Sequence, residues 1–119
     1  MNVAVVGASN KPDRYSYKAV MMLKEKGHVP FPVHPSLKAV EAFPVYSCIE
    51  AIPEPIHTVT MYLSAANQKN IEEDILRSSA GRVIFNPGAE NPALTERLRA
   101  AGKEAIDACT LVLLSTGRF

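Results

Sequence analysis

Cysteine is scarce: Cys48 and Cys109 are the only two in 119 residues. So few thiols, so far apart in sequence, support neither a disulfide framework nor a zinc site. The three histidines, His28, His34 and His57, show no metal-ligand spacing such as H-x-x-x-H, so no metal centre is expected. Neither sign of charge is in excess. Thirteen Lys and Arg stand against twelve Asp and Glu, a formal net charge of +1. That balance removes the electrostatic case for a nucleic-acid or acidic-membrane partner. No apolar run approaches the roughly 20 residues needed to cross a bilayer. A strand pattern begins at Asn2 and leaves no room for a leader, so the expected location is cytoplasmic. What is present is ordinary globular material, 47% hydrophobic and 21% charged. Its length predicts one domain over residues 1–119.

Asn2 to Val6 is a β-branched apolar run closed by Gly7, the pattern of a strand buried on both faces. Ser16, Ala19, Val20 and Leu23 then recur at helical spacing, with Gly27 as the stop. His28 to Val33 reads as a second strand, although Pro30 and Pro32 cannot donate to a ladder. Residues 36–55 are irregular, with a short helix expected around Cys48 to Ile52. Thr58 to Leu63 predicts a third strand. A helix capped by Ser64 or Asn67 then carries Ile71, Ile75 and Leu76 and ends at Gly81. Arg82 to Phe85 is a fourth strand, and Asn91-Pro92 opens a helix that Gly102 closes. Glu104 to Ile106 makes a fifth strand. The tail, with Leu111 to Leu114, reads as core cover or as a dimer contact, core being preferred.

Strands alternating with helices predict an α/β protein, a three-layer Rossmann-like fold with a parallel sheet of about five strands. In such sheets a ligand lies outside the carboxyl ends of the strands, where the strand order reverses. The first turn, from Gly7 to Arg14, is therefore the leading candidate for a site. A strand, a glycine and a helix start bring free N–H groups and a positive helix end to an anion. The dinucleotide pattern G-x-G-x-x-G is broken, however, by Ser9 and Pro12. The acidic residue that would hold a ribose hydroxyl is also missing, since Val33-His34-Pro35 ends the second strand. Both absences argue against NAD.

Gly7-Ala8-Ser9, Pro12, Arg14, Ser16, Leu23, Gly27-His28 and Pro32-Val33-His34-Pro35 resemble the small stand-alone CoA-binding domain proteins. These are similar to the amino-terminal domain of the succinyl-CoA synthetase α subunit. The resemblance runs on through Tyr46, Pro53, Asn86-Pro87-Gly88 and Asp107-Ala108-Cys109, nearly the whole chain. Departures fall in the crevice loops. His34 stands for the usual Asn, Ile84-Phe85-Asn86-Pro87-Gly88 for Trp-x-Gln-x-Gly, and Ala108 for the Arg before Cys109; His57 replaces the usual Asp before the third strand. The synthetase's phosphorylated histidine belongs to another domain, so ligase chemistry is not implied.

The resemblance implies coenzyme A or an acyl-CoA as ligand, bound without turnover. Gly7, Ala8 and Ser9 would hold the pyrophosphate, and Lys11 and Arg14 would add charge. His34 and Pro35 would border the adenosine, with Ser64, Asn86, Pro87 and Gly88 along the pantetheine path. His34 is read either as a ligand contact or as a turn residue, and Cys109 as a packed thiol. No catalytic residue is assigned. A homo-oligomer is possible. The alternatives are a minimal NAD(P)-dependent oxidoreductase, a Cys109-based redox protein, and a Rossmann module that acts through protein contacts.

Overall fold

The computed structural model describes all residues from Met1 to Phe119. In chain order the elements are β1 (Asn2–Val6), α1 (Tyr15–Glu25), β2 (Val29–Val33), β3 (Ala39–Val40), β4 (Phe43–Pro44), β5 (Thr58–Met61), α2 (Glu72–Arg77), β6 (Arg82–Phe85), α3 (Pro92–Ala100), β7 (Glu104–Asp107) and α4 (Thr110–Ser115). Five strands form one sheet in the order β2-β1-β5-β6-β7, and every pairing is parallel. Parallel neighbours need crossovers, which α1, α2 and α3 supply. The Rossmann-like α/β expectation is met.

Period-two alternation divides the strands between two cores. Val3 and Val5 of β1 pack beneath α1 and α4 with Val20, Leu23, Val40 and Leu114. Ala4 and Val6 face the opposite layer with Val59, Met61, Val83, Phe85, Ile75, Leu94 and Leu98. The β3–β4 hairpin lies beside α1, tied to it where the Tyr17 hydroxyl donates to Glu41 at 2.5 Å.

Pro30 and Pro32 fit because β2 is the outermost strand. Val29 donates its N–H to Met1, and the Val33 carbonyl accepts from Gly7, so these residues face β1. The prolines alternate with them and face outward, where no donor is asked of them. On that side the Pro32 carbonyl accepts from Tyr46 N–H, and His34 N–H donates to the Tyr46 carbonyl, both at 3.0 Å.

Two expected helices are corrected. No helix forms around Cys48 to Ile52; a turn closed by Ile52 N–H on the Ile49 carbonyl stands there. The N–H groups of Ile49 and Glu50 are taken by the Asp74 carboxylate, at 2.7 and 3.0 Å, and Pro53 follows. The helix expected from Ser64 or Asn67 to Gly81 is shortened to α2, preceded by two 3₁₀ turns, Ala65–Asn67 and Lys69–Ile71. Neither candidate cap serves α2: the Ser64 hydroxyl accepts from the Asn67 side chain instead. Gln68 interrupts the segment. Its side chain is fully buried, donating to the carbonyls of Leu63 and Ala89 and accepting from Asn91. The start of α3 is as expected, with Pro92 in its first turn and Asn91 accepting from Leu94 N–H. The tail forms α4, which buries Thr110 and Leu114 but leaves Val112 55% exposed, so core cover holds for only part of it.

Candidate functional site

The strand order reverses at β1, whose neighbours are β2 on one side and β5 on the other. Loops leaving the carboxyl ends of β1 and β5 there diverge to opposite faces, which opens a crevice. Gly7 begins the first loop at φ +87°, a conformation costly for any residue with a side chain. A Cβ at Gly7 would also lie 3.1 Å from the backbone nitrogen of Leu63. The glycine therefore lets the β1 and β5 loops approach each other. The N–H groups of Gly7 and Ala8 both reach the Val33 carbonyl, and the Ser9 hydroxyl accepts from Lys11 N–H. Arg14 precedes α1 with no side-chain cap, and the first turn of α1 carries no acidic residue. The N–H groups of Tyr15, Ser16 and Tyr17 have no backbone acceptor. This is an uncapped, uncompensated helix start.

A groove runs across this point in three connected sections. The central one, about 440 Å³, is lined by Gly7, Ala8, Ser9, Lys11, Arg14, Tyr15, Ser16, His34, Tyr62, Leu63 and Pro87. Toward α2 a section of about 410 Å³ adds Val33, Pro35, Ser47, Cys48, Asn67, Asn70 and Asp74. Toward α4 a section of about 250 Å³ adds Asn86, Cys109 and Leu111. Lys11 and Arg14 are exposed and unpaired, the chain's ion pairs being made by Arg97 with Glu72 and Glu73 elsewhere. A further cavity between Ile49 and Ser79 lies outside these loops.

Of the residues selected from sequence, Gly7, Ala8, Ser9, Lys11, Arg14, His34 and Pro87 meet in the central section. Pro35 lines the α2 end and Asn86 the α4 end. Ser64 and Gly88 line none of the three sections. Ser64 is held in its 3₁₀ turn, and Gly88 donates its N–H to Glu90. Asn86 is 2% exposed, and its amide is committed inside. It donates to Thr60 and to the Met61 carbonyl, and it accepts from Thr110 N–H.

His34 takes the turn role while lining the groove. Its Nδ1 accepts from Ser36 and Leu37 N–H at 3.1 and 3.0 Å, as an asparagine oxygen would in a turn. With Nδ1 an acceptor, the neutral ring carries its proton on Nε2. Cys109 is a half-buried wall of the α4 end rather than a core thiol.

Sequence reasoning missed Tyr62 and Leu63, which stand just beyond β5. The expected strand ran to Leu63 and hid both as strand residues. Ending it at Met61 would have exposed them under the carboxyl-end rule. The Tyr62 hydroxyl is buried without a partner, and burial pushes its ionisation up to about 12. Tyr15, 70% exposed at the groove mouth with Lys18 over its ring at 5.6 Å, was also unassigned.

The CoA binding domain family profile matches residues 1–115 of this chain. The chain belongs to that family. This CoA-binding domain is 26% identical over 111 residues to the uncharacterized protein YneT of Bacillus subtilis (strain 168), covering 92% of this chain and 82% of that one. A solved structure of an uncharacterized protein is 36% identical, with a TM-score of 0.88 over 99% of this chain and 97% of that one. The acetyl-coenzyme A synthetase 1 of Ca. Korarchaeum cryptofilum, solved with phosphate and ADP, shares the fold. Its TM-score is 0.72 at 18% identity, over 87% of this domain and 25% of the synthetase chain. No helix of this CoA-binding domain is long and apolar enough to cross a membrane.

Proposed function

We propose that this domain binds coenzyme A or an acyl-CoA in the groove and holds it without turnover. One observation carries the reading: an uncapped helix start with two unpaired cations, Lys11 and Arg14, facing a groove at the switch point. The pyrophosphate lies on the Gly7–Ser9 turn, where the N–H groups opening α1 and the Arg14 and Lys11 charges meet it. The adenosine lies toward the α2 end, beside His34 and Pro35, with the His34 Nε2–H as a donor. The pantetheine runs past Tyr62 and Pro87 toward α4. Helix-end electrostatics contribute about 0.3–2 kcal/mol, against about 8 kcal/mol for a micromolar complex. Buried adenine and pantetheine supply the remainder.

Retention rather than turnover is supported by the surroundings of Cys109. No histidine, carboxylate or amine lines its section of the groove, so no base is at hand to activate the thiol. The reading is tested by thermal unfolding with CoA, NAD or ATP at equal concentration. CoA gives the largest rise in Tm; an equal rise with NAD would refute the assignment. Native mass spectrometry of gently purified protein identifies any ligand retained from the cell.

A further inference from the structure

We infer that the α4 end of the groove is an acyl chamber, and that the ligand is a short uncharged acyl-CoA rather than free CoA. This rests on the CoA reading above and adds the chemistry of the group on the ligand's sulfur.

Charge is unevenly spread along the groove. Lys11 and Arg14 stand in the central section, and Asp74 in the α2 end, whose walls otherwise include Val6, Val33, Leu63 and Ile71. The α4 end holds no charged residue; it is walled by Tyr15, Tyr62, Pro87, Leu111 and Cys109, with Asn86 beneath. Of the polar side-chain atoms there, the Tyr15 hydroxyl stands at the exposed mouth of the groove. Both ends of the Asn86 amide are spent on Thr60, Met61 and Thr110. The Tyr62 hydroxyl oxygen is buried out of reach of solvent. Most of the surface facing the cavity is carbon, beside the Cys109 thiol, which packs as a small apolar group.

Tyr15, Tyr62 and Pro87 line both this chamber and the central section, so the two are continuous. A ligand anchored by phosphates on the Gly7 turn has two directions in which to run. On the CoA reading above, the adenosine lies at the α2 end, beside His34 and Pro35, which sends the pantetheine arm to the α4 end. A free thiol leaves the apolar walls in contact with water, whereas a short acyl chain covers them. A chain ending in a carboxylate loses hydration and meets no cation there.

The test is isothermal titration of the full chain with CoA, acetyl-CoA, butyryl-CoA and succinyl-CoA. Affinity is expected to rise about fourfold per methylene from acetyl to butyryl. Succinyl-CoA, with the same number of acyl carbons as butyryl-CoA, is expected to bind at least about tenfold more weakly than it. In Leu111→Arg the order reverses, with succinyl-CoA above butyryl-CoA; Leu111 is half-exposed, so the substitution is compatible with folding. CoA binding with no dependence on the acyl group, or succinyl-CoA equal to butyryl-CoA, overturns the chamber and leaves the CoA reading standing. Failure of all four to bind overturns both.

Discussion

Gly7 and Arg14 sit seven residues apart in one turn yet answer to different physics. Gly7 is fixed by backbone geometry, through its φ of +87° and the Leu63 nitrogen 3.1 Å from where a Cβ would sit. Gly7→Ala is therefore expected to cost about 1–3 kcal/mol of stability by urea unfolding, before any ligand is added. Arg14 is exposed and engages nothing through its side chain. Arg14→Ala should unfold like the parent but bind CoA about ten- to hundredfold more weakly, as loss of a charge-assisted phosphate contact implies. Titration at low and high salt checks it, since the gap between variant and parent should narrow as screening rises. Unaltered affinity would move the phosphates elsewhere.

At the scale of elements, legibility in the sequence followed how local each cause was. The Gly7 turn, the Asn91-Pro92 start of α3 and the alternation that buries β1 on both faces are written within a few residues, and each appears as expected. Gln68 was not legible, because its partners Leu63, Ala89 and Asn91 come together only after the α2 segment docks beside α3. Asp74 was no more legible, since it fastens the Ile49–Ile52 turn from across the fold. The same limit applied to the site: the turn was legible, while Tyr62 and Leu63 were masked by a strand drawn two residues too long. Gln68→Met keeps the side chain's size but orphans two carbonyls and the Asn91 amide. It should cost about 2–5 kcal/mol by urea unfolding and weaken the Asn91 cap of α3. A cost below about 1 kcal/mol would mean the α2 approach is held by packing alone.

For the molecule as a whole, the two ends of the chain meet beneath the sheet, opposite the groove. The Met1 ammonium lies 3.2 Å from His28 Nδ1, and the His28 ring packs on Phe119 at 5.0 Å. Arg82 stacks over Phe119 and donates to its carbonyl. Burial, followed by the charges of the ammonium and Arg82, with His57 adding a little, holds His28 below its ordinary value of 6.5. The unfolded chain then binds more protons than the folded one just below pH 6.5, so stability falls on acidification through that window. Urea midpoints at about pH 5 and about pH 7.5 should differ more in the parent than in His28→Asn. Equal differences would show that His28 carries none of the acid sensitivity. The prolines of β2 have a consequence at this scale too. Strand-on-strand aggregation needs an outer row of free N–H and C=O groups. On β2 that row has lost donors at Pro30 and Pro32 and is covered by Tyr46; at the opposite margin the Arg99 guanidinium occupies the outward Ala105 carbonyl on β7. Crowded or partly heated, the sheet presents little template for adding a foreign strand, and any partner of this domain is left to meet it through helices and loops.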